Sequence, residues 1–225
     1  MFTTRRGGHS GGLYESLNLG FATDDDPDAM ERNRASLPAA IGSPPPSFVY
    51  QVHGAEVRRI IAAPAPTDRP RVDGQATNVA GVAIAALVAD CLPVAIAGQG
   101  AVAMLHAGWR GLRAGVLAAG VRALRELAPH PPADGLLAGA IGPGAGRCCY
   151  EVGNEVHAQF AEYEDVHHGR KLDLKAIARH QLVEAGVAEV HDIGLCTLCA
   201  PSGLLFSHRR DHGITGRQAG VAWLI

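Results

Sequence analysis

Three short segments of the sequence place a side chain capable of metal binding or catalysis beside glycine, at the end of an apolar run. The side chains are His53, Cys91 and His106. A scaffold usually presents such residues to a pocket from the ends of its strands. Two imidazoles and one thiolate suit zinc, and three protein ligands leave a fourth position open, as in catalytic sites. The three residues therefore predict a catalytic zinc site, although each alone also fits a hydrogen-bonded loop histidine or a small buried cysteine.

Candidate substrate-binding residues lie near glycines and near the predicted ligands. Arg5 and Arg6 precede two glycines, and Arg110 follows the segment of the second histidine. Guanidinium groups bind phosphate in a bidentate manner, so these arginines could hold an anion; the alternative is an ordinary solvated arginine. Asn18 could bond a substrate hydroxyl or only fix a turn. Asp90, beside the predicted cysteine ligand, could support the site from behind or be purely structural.

The other four cysteines fall into two pairs. Cys148 and Cys149 could bring a thiol to the pocket, and Cys149 and the following Tyr150 are further candidates for substrate binding, although such a cysteine pair is commonly just buried. Cys196 and Cys199 have the Cys-x-x-Cys spacing of redox and metal sites. One such pair without a second is a weak indication, and we interpret it as structural or incidental.

The composition predicts one globular domain over residues 1–225. Apolar residues make up 47% of the 225 residues and charged residues 19%, which excludes wholesale disorder. The net charge is −2 with no Lys- or Arg-rich run, so nothing indicates nucleic-acid binding. The apolar stretch 79–97 contains Asp90 and Pro93, which favours two buried strands over a membrane span. The first residues lack the apolar core of a signal peptide, so we expect a cytoplasmic protein with reduced cysteines, and we expect it to be a monomer.

Hydrophobic periodicity and turn residues predict the elements that must position these side chains. Asp26 and Pro27 indicate a helix start, with a carboxylate cap and a proline in the first turn. The irregular alternation of helices and strands predicts a mixed sheet covered by helices rather than a series of βαβ units. The predicted helices cover 29–40, 112–127, 154–162 and 174–185; the strands cover 48–52, 56–62, 82–88, 92–97, 101–106, 136–141, 187–193 and 219–224; proline-rich loops cover 42–47, 62–71 and 129–134.

Eight motifs along the whole chain share one family resemblance. They are TRRGGHS at 4–10, SLNLG at 16–20, QVHG at 51–54, ADCLPV at 89–94, HAGWRG at 106–111, IGP at 141–143, CCYEVG at 148–153 and TGRQ at 215–218. In this order they resemble the laccase-domain purine nucleoside phosphorylase family, also called the multicopper polyphenol oxidase-like or YfiH family. The sequence departs from the usual family pattern between Gly142 and Cys148 and at Tyr50.

The resemblance implies a fold, a metal and an activity. The fold is of the α+β class, with mixed β-sheets in a layered αββα-type sandwich similar to a bacterial toxin deamidase domain. The metal is zinc on His53, Cys91 and His106. The activity is phosphorolysis of adenosine, inosine and S-methyl-5'-thioadenosine, with adenosine deamination beside it, so the partners are a nucleoside and phosphate. Some members are also linked to the editing of peptidoglycan precursors.

Three other functions compete with the zinc phosphorylase. A cysteine hydrolase would use Cys91 as nucleophile and His106 as base, for example on an amide bond of a peptidoglycan precursor. A copper oxidase acting on phenols generally needs several His-x-His pairs, and the sequence contains none, which disfavours copper. A binding module would use the histidines and cysteines only structurally.

Overall fold

The secondary structure comes from a computed structural model that describes residues 1–98, 100–127 and 136–225. The predicted loop at 129–134 lies outside the described residues. The helices are α1 (Pro27–Ile41), α2 (Trp109–Ala114), α3 (Val116–Leu127), α4 (Asn154–His157) and α5 (Leu174–Glu184). The strands are β1 (Pro46–Ser47), β2 (Val57–Ile60), β3 (Gly74–Thr77), β4 (Ala83–Val88), β5 (Leu92–Gly98), β6 (Ala101–Ala107), β7 (Ala138–Ile141), β8 (His167–His168), β9 (Lys171–Leu172), β10 (Glu189–Asp192) and β11 (Gln218–Trp223).

Two mixed sheets carry the described part of the fold. The larger has six strands in the order β10-β7-β5-β6-β3-β2. Its outer pairs, β10 with β7 and β2 with β3, are parallel, and the inner pairs are antiparallel. The smaller has three strands in the order β1-β4-β11, with β1 parallel and β11 antiparallel to β4. A short antiparallel pair, β8 and β9, lies apart from both.

Alternation along β4 shows how the two sheets and the first helix stack. Ile84 and Ala86 point inward and pack against Met104 of the six-stranded sheet. Ala83 and Ala85 point the other way, into a second cluster that contains Leu37 of α1. Successive strand residues face opposite sides of a sheet, so both faces of β4 are buried, one under each neighbouring layer.

Helices α3 and α5 cover the other face of the six-stranded sheet. On α3, Val121 and Leu124 are buried at helical spacing, whereas Arg122 and Arg125 face solvent. Ile177 of α5 lies in the same apolar cluster. The order of layers is therefore helix, three-stranded sheet, six-stranded sheet, helices, which confirms the α+β class and the predicted αββα sandwich.

Most of the predicted elements are present, and the exceptions have local causes. The helix predicted over 112–127 is two helices, because Gly115 adopts a left-handed φ of 84° between them. The predicted strand 48–52 is wrong: strand pairing covers Pro46–Ser47, and Tyr50 makes only an isolated bridge to Arg71. The predicted helix 154–162 shortens to α4 followed by a 3-10 turn.

Two further observations concern the first helix and the membrane prediction. Helix α1 begins as predicted, with the Asp26 carboxylate accepting a hydrogen bond from the amide of Asp28 and with Pro27 in the first turn.

Across the three described ranges, every helix is too short or too polar to cross a bilayer.

Candidate metal centre

The pairing of β5 with β6 brings Cys91 and His106 together. The two strands are antiparallel with Leu92 opposite Ala107 and Pro93 opposite His106. Cys91 precedes β5 directly, so it lies beside the last residues of β6. A reactive side chain at a strand end was predicted for both residues, and the structure places both there.

His53 reaches Cys91 and His106 from a loop, because the strand that was predicted to precede it is absent. Its backbone is left-handed, with φ 61°, a conformation that non-glycine residues adopt rarely. One buried carboxylate holds this turn: Asp73 accepts hydrogen bonds from the amides of Val52, His53 and Gly54 at 3.1, 2.8 and 2.7 Å. Three N–H donors on one carboxylate fix the loop and therefore the direction of the imidazole.

Asp73 also orients the second histidine. Its Oδ1 lies 2.8 Å from Nδ1 of His106, and its carbonyl oxygen accepts from the amide of His106 at 2.7 Å. A carboxylate on Nδ1 fixes the tautomer with Nε2 available as a ligand, the arrangement found behind most metal-bound histidines. One side chain thus positions both imidazoles.

The three predicted ligands converge closely enough to hold one ion. One ligand atom from each of His53, Cys91 and His106 lies within 4.8 Å of the others. The two imidazole rings meet edge to face, with centroids 4.8 Å apart. His106 is buried, Cys91 is partly buried and His53 is exposed. A mixed nitrogen and sulfur set with one exposed member matches an open metal site rather than a closed one. We call these residues the three-ligand site.

Gly108 makes room for this convergence. A Cβ atom at that position would lie 2.7 Å from the Sγ atom of Cys91 and 3.4 Å from a ring carbon of His53. Real Cβ atoms do not approach a sulfur so closely, so the glycine of the HAGWRG motif is required by the packing of the ligands.

Electrostatic interactions within the three-ligand site favour the thiolate of Cys91, which is the form of cysteine that binds a metal. Burial by itself raises the pKa of the Cys91 thiol, but the charge and hydrogen bonds of the two histidines outweigh it and bring the pKa to about 6. Burial lowers the pKa of His106, and the charge of Cys91 together with the Asp73 carboxylate raises it to about 9. For Asp73, burial is likewise outweighed by bonds from His106 and the loop amides, so its pKa lies below the ordinary value.

A cavity of about 440 Å³ opens onto the three-ligand site. This volume falls within the range of small-molecule sites. Its walls contain aromatic rings and arginine side chains. Aromatic rings can stack on a flat heterocycle, and arginines can bind an anionic group. The lining includes Phe21, Tyr50, Asp90, Trp109, Arg110, Tyr150, Arg209 and Arg217.

The predicted substrate-binding residues divide between this cavity and other places. Asp90, Arg110 and Tyr150 line it. Arg5 and Arg6 line a separate depression with Glu15 and Ser202, where both guanidinium groups donate to backbone carbonyls.

Asn18 and Cys149 also lie outside the lining. The Asn18 amide is used within the protein: Nδ2 donates to Asp25, and Oδ1 accepts from the amides of Gly20 and Arg217. Cys149 lies beside Cys148, Cys196 and Cys199 in a group that we call the four-cysteine cluster.

Asp90 connects the three-ligand site to two loops. Its backbone is left-handed, with φ 91°, and its side chain is buried. Oδ1 accepts from the hydroxyl of Thr197 at 2.5 Å and Oδ2 from the amide of Arg209 at 2.8 Å. Both carboxylate oxygens are therefore engaged: Oδ1 holds the loop of Thr197, and Oδ2 holds the loop of Arg209, which lines the cavity.

Sequence reasoning missed Asp73, Arg209 and Arg217. Asp73 stands before the short strand β3, which carries no apolar alternation to announce it. Arg209 lies over the ring of Tyr150, 4.3 Å from its centroid, and Arg217 belongs to the TGRQ motif. The signal available for Arg217 was that motif, whereas nothing local distinguishes Arg209 from the neighbouring arginine.

Several known proteins are similar to this chain over nearly its whole length. A Streptomyces coelicolor protein named purine nucleoside phosphorylase is 40% identical over 233 residues, covering 99% of this chain and 94% of the relative. The Escherichia coli purine nucleoside phosphorylase YfiH is 38% identical, covering 99% and 92%. Among solved structures, a Neisseria meningitidis protein has a TM-score of 0.86 at 35% identity, covering 99% of this chain and 92% of that one. The Bacillus licheniformis protein YfiH has a TM-score of 0.88 at 29% identity, covering 99% and 91%.

The family assignment covers the chain from end to end. The family model described as multi-copper polyphenol oxidoreductase laccase matches residues 1–225. The matched range includes the motifs that build the three-ligand site. The chain therefore belongs to this laccase-like family, together with the YfiH proteins.

Proposed function

We propose that the chain is a zinc-dependent purine nucleoside phosphorylase that accepts adenosine, inosine and S-methyl-5'-thioadenosine and also deaminates adenosine. The observation that carries the proposal is the cavity: His53, Cys91 and His106 form one wall, and aromatic and arginine side chains form the others. The names of the relatives support the phosphorylase activity. The deaminase activity and the choice of nucleosides rest on the family resemblance.

Zinc fits the three-ligand site by its donor set and by the groups behind it. Two imidazoles and a thiolate with a low pKa are ligands that zinc prefers, and Asp73 supports His106 as carboxylates do at zinc sites. When bound, zinc would supply Lewis-acid activation of an oxygen in the cavity. Copper also accepts two histidines and a cysteine, so metal analysis of the purified chain decides the identity of the ion.

Arg110 is the arginine best placed to bind phosphate in the cavity. Within the described residues its guanidinium group forms no hydrogen bond or ion pair, and it stacks over the Trp109 ring at 4.5 Å. Arg209 and Arg217 line the same cavity but donate to the carbonyls of Glu151, Thr215 and Gly216. Arg110 is therefore free to form bidentate bonds to an anion, while the other two contribute positive charge.

Phosphorolysis requires an anion, an oriented sugar and a proton for the leaving base. The bond between C1' and the purine nitrogen breaks, its electron pair stays on the base, and a phosphate oxygen bonds to C1'; the base then takes its proton from the phosphate or from solvent. Burial raises the pKa of Tyr150 to about 12, so its hydroxyl keeps its proton at neutral pH and can donate a hydrogen bond to the departing base. Tyr50 offers an aromatic surface on which a purine can stack, whereas the guanidinium groups of Arg34 and Arg69 cover the Phe21 ring.

The deciding experiment incubates the purified chain with adenosine, with and without phosphate, and identifies the products. Adenine and ribose 1-phosphate that form only with phosphate indicate phosphorolysis. Inosine and ammonia without phosphate indicate deamination. The matched controls are Cys91→Ala and metal removal by a chelator, both of which should abolish turnover. An active wild-type chain that keeps its full rate without metal would disprove the zinc dependence.

A cysteine hydrolase acting on a peptidoglycan precursor is the second candidate, and one observation favours it. Asp73 lies 2.8 Å from Nδ1 of His106, and a ring nitrogen of His106 lies within 4.8 Å of the Sγ atom of Cys91, so the set contains the carboxylate, imidazole and thiol that a nucleophilic triad needs. Isolated metal-free chain whose Cys91 is alkylated rapidly above pH 6 and slowly below it would favour this function, because the thiolate is lost as pH falls through its pKa of about 6. Zinc that protects Cys91 from alkylation would favour the phosphorylase.

A further inference from the structure

The four-cysteine cluster is formed by two loops that leave the same edge of the six-stranded sheet. Strands β7 and β10 are parallel neighbours, so the segments that follow them start side by side. A bridge pairs Gly144 with Cys196, and the amide of Thr197 donates to the carbonyl of Gly144 at 3.1 Å. The cysteines are therefore brought together by backbone pairing rather than by chance proximity on a surface.

The spacing of the sulfur atoms suits one ion. All four lie within 4.8 Å of one another, and the Sγ atoms of Cys148 and Cys199 are 3.5 Å apart. Zinc binds sulfur at about 2.3 Å, so neighbouring sulfurs of a tetrahedral site are about 3.8 Å apart. Small rotations of exposed side chains close the remaining difference, since Cys148 and Cys199 are both exposed.

The backbone around Cys196 favours a thiolate. The amide of Gly146 donates a hydrogen bond to its Sγ atom at 3.3 Å. Gly146 also keeps the space open, because a Cβ atom there would lie 3.1 to 3.4 Å from atoms of Cys196 and Cys148. Backbone donors aimed at a sulfur stabilise negative charge on it, as a bound thiolate requires.

We propose that the four-cysteine cluster is a second metal site, which binds zinc through four thiolates. Four protein ligands leave no open position, so the ion is structural and takes no part in the chemistry of the cavity. Each thiol that binds releases its proton to solvent, and no electron transfer is involved. The ion links the loops after β7 and β10. This proposal is independent of the function proposed for the three-ligand site.

The test counts zinc in three forms of the full-length chain, purified under reducing conditions and analysed for metal content. Wild type should hold two zinc ions per chain. Cys91→Ser removes a ligand of the three-ligand site and should leave one. The double variant with Cys148→Ser and Cys199→Ser should also leave one; both side chains are exposed, so the apolar core is unaffected. Cobalt bound to Cys91→Ser should show the strong sulfur-to-metal absorption of a four-thiolate site.

The outcomes separate this proposal from its rivals and from the zinc phosphorylase. Cys91→Ser chain without zinc overturns the second site, and so does a double variant that retains two ions. A mass that shows disulfides between these cysteines, with all zinc removed by Cys91→Ser, assigns the cluster to redox pairing instead. One zinc in Cys91→Ser and none in the double variant supports the second site and overturns zinc at the first. If the double variant does not fold, cobalt absorption of Cys91→Ser alone decides.

Discussion

The three-ligand site and the four-cysteine cluster show two ways to gather metal-binding side chains. The first combines two histidines and one cysteine at the wall of a cavity, with His53 exposed. The second combines four sulfurs from two loops, outside the residues that line that cavity. An incomplete, mixed ligand set leaves a position for substrate, whereas a complete sulfur set does not. This difference supports the proposed catalytic role of the three-ligand site and the proposed structural role of the four-cysteine cluster.

The groups that hold the metal-binding side chains in place also differ between the two sites. At the three-ligand site, one buried carboxylate, Asp73, holds the His53 loop and orients His106. At the four-cysteine cluster, sheet pairing and backbone amides hold Cys196, and the outer thiols are exposed. Preorganisation by side-chain hydrogen bonds is the usual support of a reactive site. Asp90 joins the two regions, since it precedes Cys91 and accepts a bond from Thr197.

Removal of the thiolate from the three-ligand site should have the largest effect. Cys91→Ala is expected to lower kcat/KM for nucleoside phosphorolysis by about a thousandfold, because metal activation contributes several kcal/mol and ~4 kcal/mol corresponds to about three decades in rate. Steady-state kinetics with phosphate measures it. Cys199→Ala, in the other cluster, is the control and should retain most of the activity. Equal losses in both variants would remove the functional distinction between the clusters.

Loss of the supporting carboxylate should weaken metal binding without removing a ligand. Asp73→Asn keeps the size of the side chain but loses the charge beside His106, so affinity for zinc at the three-ligand site should fall about 10- to 100-fold. Competition with a chromophoric chelator measures the affinity. Asp28→Asn, an exposed change on α1, controls for the substitution itself. Unchanged affinity in Asp73→Asn would show that the backbone alone orients the imidazoles.

Arg110→Ala should raise the KM for phosphate about 10- to 100-fold and change the KM for nucleoside little. A charge-assisted hydrogen bond contributes about 1.5–3 kcal/mol, and 1.4 kcal/mol is a tenfold change in affinity. Arg6→Ala is the matched control, because Arg6 lines a different depression. A larger effect of Arg6→Ala than of Arg110→Ala would move the phosphate site away from the cavity.

Loss of the hydrogen bond between Thr197 and Asp90, which joins the three-ligand site to the four-cysteine cluster, should have the smallest effect. Thr197→Val removes the hydroxyl that donates to Asp90 at 2.5 Å, in a buried environment. The free energy of unfolding should fall by about 1–3 kcal/mol, and kcat should fall a few fold because the loop beside Cys91 loosens. Urea unfolding and kinetics measure the two effects. Thr215→Val breaks a comparable bond to Asp211 and should lower stability without the same loss of kcat.

Much of this architecture could be predicted from the sequence because the signals are local. Helix α1 carries its own cap, and the apolar runs of β4, β5 and β6 have the length and burial of core strands. The three candidate metal ligands could be predicted from residue type, position at the end of an apolar run and family motif. The strand predicted over 48–52 is absent because Tyr50 makes only an isolated bridge to Arg71, and Asp73 holds the backbone from Val52 onward in a loop.

Other features depend on contacts between residues far apart in the chain. Asp73 has no local signal, and its role arises only when the loop at 52–54 and strand β6 meet it in space. Cys148 and Cys199 are 51 positions apart, so pairing of β7 with β10 decides that two weak motifs form one cluster.

The sequence by itself determined the family, the layers of the fold and the three candidate metal ligands. The tertiary structure alone decided which arginines face the cavity, which carboxylate supports the ligands and that the remaining cysteines converge. The physical reason is the distance along the chain over which each signal acts. Helix caps, hydrophobic periodicity and motifs involve residues that are close in sequence. The hydrogen bonds of Asp73 and the convergence of the thiols instead require the correct strand register across the sheet.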